Sequence, residues 1–202
     1  MRTSVSIIAL AAALALGSCG PKAGKSADAT VNSIDTVTSA TGNLIANAAV
    51  GVKEAVTPTP SVQDFVDKAA KSDAFEIASA KLAQDKAGSA DIKSFAAMMI
   101  EDHTASTEKL KKAAAAAMPA ITADATLTSD QQGRLADLAK LSGKDFDKTY
   151  ADQQIDAHKA ALSLMQVYAD KGEVPSLKTA AGEIQPRVQA HLDKIRAIRA
   201  SL

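Results

Sequence analysis

Three histidines and one glutamate are the side chains of this chain best suited to chemistry. His103, His158 and His191 are its only histidines, and Glu76 stands on a fourth apolar stretch. Imidazole nitrogens and carboxylate oxygens hold Zn²⁺, Cu²⁺ or Fe²⁺, and helical bundles build such sites from inward-facing side chains at a common height. Each of the four occupies a position where an apolar residue belongs. Glu76, with Asp73 beside it, falls among Ala69, Ala80 and Ala83. At 100° per residue His103 lies within about 20° of the stripe from Ile92 to Leu110, and His191 shares the stripe of Ile184, Val188 and Ile195. On the third stretch Asp147, Gln154, His158 and Met165 run down the middle of a broad apolar face, beside Tyr150. With a rise of 1.5 Å per residue, Glu76 and His103 stand about 18 and 22 Å from a turn at Gly88, and His158 and His191 about 21 and 24 Å from the next hairpin turn. In helices of about 40 Å all four reach mid-height, whichever way the hairpins pair.

Two readings of this layer follow. In the structural one the polar side chains satisfy each other and fix helix register at some cost in stability, for instance with Glu76 accepting from His103, and Asp147 or Tyr150 bonding His158 or His191. In the functional one Glu76, His103, His158 and His191 hold a single transition metal ion, Zn, Cu or Fe, with Asp73, Asp147, Tyr150 and Gln154 as the supporting polar core. Asp102 lies about 80° off its stripe and reads as a boundary residue. Met98, Met99, Met118 and Met165 offer soft sulfur, but in an Ala-rich core Met also serves as gap filler, and that reading is preferred.

The elements that must position these residues are all helical. Ser61 follows Pro60 and precedes Asp64 by three, a capping pattern that starts a helix, and Gly88 stops it. Ser89 caps a second helix that runs to Pro119. A short helix is predicted over 129–142 with Leu135, Leu138 and Leu141 inward, followed by long helices over 144–171 and 176–200. Pro186 inside the last removes one backbone bond and predicts a kink. Two tight hairpins joined by a connection of about 25 residues define an all-α, ferritin-like four-helix bundle with a short extra helix in the crossover.

Composition agrees with this class. The chain is 47% hydrophobic but 3% aromatic, with no Trp, so the apolar content is mostly Ala, Leu, Ile, Val and Met, a helix-forming set. Net charge is zero, and no basic run alternates with aromatics, which argues against nucleic acid as a partner. A single Cys excludes an intrachain disulfide. That Cys ends the string Leu16-Gly17-Ser18-Cys19, after a basic start at Arg2 and an apolar run from Val5 to Leu16 too short to span a bilayer. The string resembles a bacterial lipobox, which implies a signal peptide over 1–18, lipidation of Cys19 and anchorage in the membrane. Gly20 after the Cys points to the outer membrane, with the protein facing the periplasm. Residues 19–60, rich in Ala, Ser, Thr and Gly and ending in Thr57-Pro58-Thr59-Pro60, read as a flexible tether, and 61–202 as the bundle.

The strings FVDKAAKSDAFEIASAKLA, FAAMMIEDH and LSGKDFDKTYADQQIDAHKAAL, in that order, and then the spacing from Pro186 to His191-Leu192, resemble the ferritin-like family catalogued as domain of unknown function 4142. The resemblance spans 61–202. It implies a fold and an exported, often lipidated protein, and no established activity. The di-iron pattern of ferritin-like proteins places Glu three residues before His, but Ile100 and Val188 stand at those positions here, so a ferroxidase centre is not expected.

No Ser/His/Asp or Cys/His arrangement exists, so no enzyme is expected. The leading expectation is a membrane-anchored, non-catalytic bundle of the cell envelope, without cofactor, that binds or spaces an unnamed envelope partner. The alternative is a periplasmic metal-binding or oxidative-stress protein with one metal site in the bundle core.

Overall fold

The computed structural model describes residues 58–202, so the leader over 1–18, Cys19 and nearly all of the tether over 19–60 lie outside the described residues. Five helices follow one another: α1 Val62–Lys86, α2 Ala90–Ala115, α3 Ser129–Ala139, α4 Gly143–Lys171 and α5 Pro175–Ser201. No strand occurs among the described residues. The starts of the first three helices follow from local chemistry. Ser61 Oγ accepts from the Asp64 backbone N–H, Ser89 Oγ from that of Ile92, and Thr128 forms a reciprocal capping box with Gln131. The third helix stops at Ala139 rather than at 142, and only Leu138 of its three leucines is fully buried. Pro186 lies within α5, which runs unbroken through it.

Cross-helix contacts define a square. α1 pairs with α2 and α4, and α5 pairs with α4 and α2. The end of α1 meets the start of α4, where Gly88 and Ser89 both donate to Asp147, while Phe65 stacks on Tyr168 at the opposite end. Likewise Ser176 at the start of α5 bonds Ala113 near the end of α2, and Lys194 approaches Met98 near its start. Both inter-hairpin seams are therefore antiparallel, which requires the α2-to-α4 connection to travel the length of the bundle. It does so along α1: Asp67 accepts from the Asp124 backbone, Gln63 donates to the Thr122 carbonyl, Lys71 pairs with Asp124, and α3 packs on α1 and α4.

Gly88 is favoured by close approach. A Cβ there would stand 3.1 Å from Gly143 Cα, and Gly143 has φ +59, a left-handed conformation that favours glycine.

The core is two apolar clusters rather than one. Phe65, Val66, Leu110, Tyr168, Leu177 and Val188 anchor the first, and Ile92, Phe95, Met99, Phe146, Tyr150 and Ile195 the second. Between them lies a buried polar layer: Asp73, Glu76, Ser79, His103, Gln154, His158 and His191.

A buried triad of imidazoles

The layer is built by register. His103 on α2, His158 on α4 and His191 on α5 come together because their helices place them at the same height. Their ring centroids lie 5.6, 5.6 and 5.4 Å apart, and one nitrogen from each ring lies within 4.8 Å of those of the others. All three are at least 95% shielded from solvent.

Each imidazole is held from outside by a group that can only accept. His103 Nδ1 is 2.8 Å from Asp73 Oδ1, His158 Nδ1 is 2.9 Å from the Gln154 carbonyl, and His191 Nε2 is 2.8 Å from Asp102 Oδ2. A carboxylate or carbonyl partner requires the facing nitrogen to carry the proton, which fixes the tautomer. The remaining nitrogens, His103 Nε2, His158 Nε2 and His191 Nδ1, have no hydrogen-bond partner. In the neutral rings each of these carries a free lone pair. Asp73 is itself steadied, since Thr107 Oγ1 donates to its second oxygen at 3.0 Å.

The three rings differ electrostatically. Burial pushes the His158 pKa down to about 3, reinforced by the neighbouring His103. Burial also lowers His191, with Asp102 partly opposing it. For His103 burial is again the largest influence and acts downward, but the Asp73 hydrogen bond and the charges of Glu76, Asp73 and Asp102 together outweigh it, and the net shift is upward. Among the three rings a proton is therefore held most readily by His103 and least readily by His158.

Several expectations about the layer need correction. Glu76 does not accept from His103: its nearest imidazole is His158, 4.0 Å away on the Nδ1 side, and neither Glu76 oxygen has a hydrogen-bond partner. Burial drives its pKa up to about 7. Asp147 bonds no histidine and lies at the Gly88–Ser89 turn, because its place near the start of α4 puts it at the end of the bundle. Tyr150 bonds none either. It is packed between Phe95 and Phe146 with its hydroxyl unpartnered. Gln154 supports the layer twice, through its carbonyl to His158 and through its amide to Ser79 Oγ at 3.1 Å. Asp102 does lie at the boundary, with its side chain 19% exposed, and from there it reaches His191. Its angle off the stripe signalled the boundary position; the identity of its partner depends on how α5 lies against α2.

Residues 47–198 match the family described as Domain of unknown function (DUF4142), and the chain belongs to it. No curated protein matches the chain. Among solved structures the chain is similar to CopM in the Cu(I)-bound form, with a TM-score of 0.59 and 18% identity over 70% of this chain and 97% of that one. At that identity the likeness is one of fold.

Proposed function

We propose that the bundle is a non-catalytic metal-binding module that holds one transition metal ion on His103, His158 and His191, Cu(I) first among the candidates. The observation that carries this reading is the set of three free imidazole nitrogens, each on a ring whose other nitrogen is fixed by an acceptor. Metal-ligating histidines have this outer partner because it sets the tautomer and raises ligand basicity. A purely structural layer would place a donor against those nitrogens, since an unpaired buried polar atom costs about 1–3 kcal/mol. Bound to one ion at about 2.0–2.1 Å, three nitrogens stand roughly 3.4 Å apart, so a triad whose nitrogens lie within 4.8 Å of one another closes by at most about 1.4 Å on loading.

Imidazole suits Cu, Zn, Fe and Ni alike. A monovalent ion among three neutral donors places the least charge in a buried layer, where charge is costly. CopM, which shares the fold, was solved with Cu(I) bound. Glu76 stands near enough to His158 to offset part of the ion's charge, but it lies on the Nδ1 side of that ring and not at its free Nε2, so it is not counted among the ligands.

The Leu16-Gly17-Ser18-Cys19 string supports attachment of this module to the envelope through lipid on Cys19, with the outer membrane as the expected site and the periplasm as the compartment served.

The test is a thermal melt of the protein with and without Cu(I), held anaerobically, and Zn²⁺. An ion at about 100 times its dissociation constant stabilises the wild type by roughly 2.7 kcal/mol, and His158→Leu loses most of that increment. Absence of any metal-dependent shift in the wild type would remove the reading.

A further inference from the structure

The triad has an extra helix across one flank of the bundle and none across the other. α3 lies over α1 and α4, on the side of the bundle opposite the α2–α5 seam. Of the three outer partners, the Gln154 carbonyl belongs to a fully buried residue and the Asp73 side chain is 8% exposed, whereas that of Asp102 is 19% exposed. Among the rings the His103 side chain is 6% exposed and that of His191 3%, but the outer partner that reaches solvent most is Asp102, on His191.

The seam around that point has a definite chemistry. Met98 precedes Asp102 by four residues on α2, and Arg187 precedes His191 by four on α5, so each pair shares a helix face. Met98 is half-buried, with Lys194 Nζ 3.9 Å from its sulfur, and Arg187 Nη1 lies 3.9 Å from Asp102 Oδ2. A thioether and a carboxylate thus sit one helical turn apart, each with a solvent-exposed cation against it.

We propose that the α2–α5 seam is the loading path of the triad, with Met98 and Asp102 forming a shallow first-contact site for a soft metal cation. This rests on the reading of the triad as a metal site. The carboxylate attracts the ion, the thioether selects for softness, and Arg187 and Lys194 guard both. When Asp102 turns to the arriving ion it lets go of His191 Nε2, freeing that ring to move and admit the ion between the three nitrogens. The same Asp102 then returns to hold the ring in its ligating orientation.

The experiment is stopped-flow transfer of Cu(I) to the full chain from a coloured chelator under anaerobic conditions, followed by chelator-driven release. Met98→Leu conserves volume and should fold normally. It slows loading and release together, so that their ratio changes less than either rate. Asp102→Asn slows loading about tenfold through lost attraction, an effect that fades with added salt. Arg187→Gln and Lys194→Gln act in the opposite direction and speed loading. Arg134→Gln, on the α3 side, leaves the rate unchanged. The path is overturned if Met98→Leu and Asp102→Asn load at the wild-type rate, or if Arg134→Gln alone alters it. A wild type that takes one ion with unaffected seam variants refutes only the path; one that takes no Cu(I) refutes the metal reading and the path with it.

Discussion

Glu76→Gln isolates the cost of keeping a carboxylate in the polar layer. Glu76 is fully buried, both oxygens lack partners, and its pKa rises from 4.5 to about 7 chiefly because burial penalises the charged form. A folded-state pKa above the unfolded one means the native state binds the extra proton. The associated stability is therefore fully present below pH 4.5 and lost as pH rises through 7. A rise from 4.5 to about 7 corresponds to about 3 kcal/mol. Gln cannot ionise, so the stability difference between variant and wild type should be about 3 kcal/mol more favourable to the variant at pH 8 than at pH 4.5. His158 acts in the opposite sense. With its pKa lowered to about 3, it contributes stability present above about pH 6.5 and lost as pH falls towards 3. That contribution is common to both proteins and cancels in the difference. Urea unfolding at half-unit pH steps, without metal, measures it. A difference that stays constant from pH 4.5 to 8 would refute the assignment of Glu76 as a buried, unpaired carboxylate.

Asp147→Ala should destabilise the bundle by about 3 kcal/mol, because Asp147 accepts from the Gly88 and Ser89 backbones, yet leave metal uptake at its wild-type level. Urea unfolding and a metal titration check the two halves separately. Asp73→Asn retains an acceptor for His103 but loses the charge, and should weaken metal affinity roughly 10–100-fold in a chelator competition; unchanged affinity would show that the outer partner is dispensable. Cys19→Ala should abolish incorporation of a fatty-acid analogue, and equal label in variant and wild type would refute the lipid anchor.

Much of the fold was legible because it is written in local chemistry. Ser61 and Ser89 mark helix starts through their caps, Gly88 marks an end, and a 3.6-residue period marks the inner faces, whereas the Thr128 cap of α3 emerged only in the structure. The convergence of His103, His158 and His191 followed from helix rise alone, since residues at mid-height in antiparallel hairpins meet under either pairing. Which side chain holds which ring was not legible. Asp73, not Glu76, holds His103, a difference of one helical turn that depends on the axial offset of α1 against α2. Asp102 holds His191 because α5 lies beside α2 and not beside α1, a choice periodicity does not encode. Asp147 was drawn into the layer by its apolar neighbours, although three residues before Tyr150 and seven before Gln154 already place it at the bundle's end.

The central claim is that three imidazoles and nothing softer hold the ion. X-ray absorption of the wild type loaded anaerobically with one equivalent of Cu(I) tests it most directly, because the first shell distinguishes nitrogen from sulfur. The account predicts three nitrogen scatterers with the outer-shell signature of imidazole, no sulfur, and loss of this shell in His158→Leu. A sulfur shell, or a nitrogen shell that survives in His158→Leu, would contradict it and move the ion away from the triad.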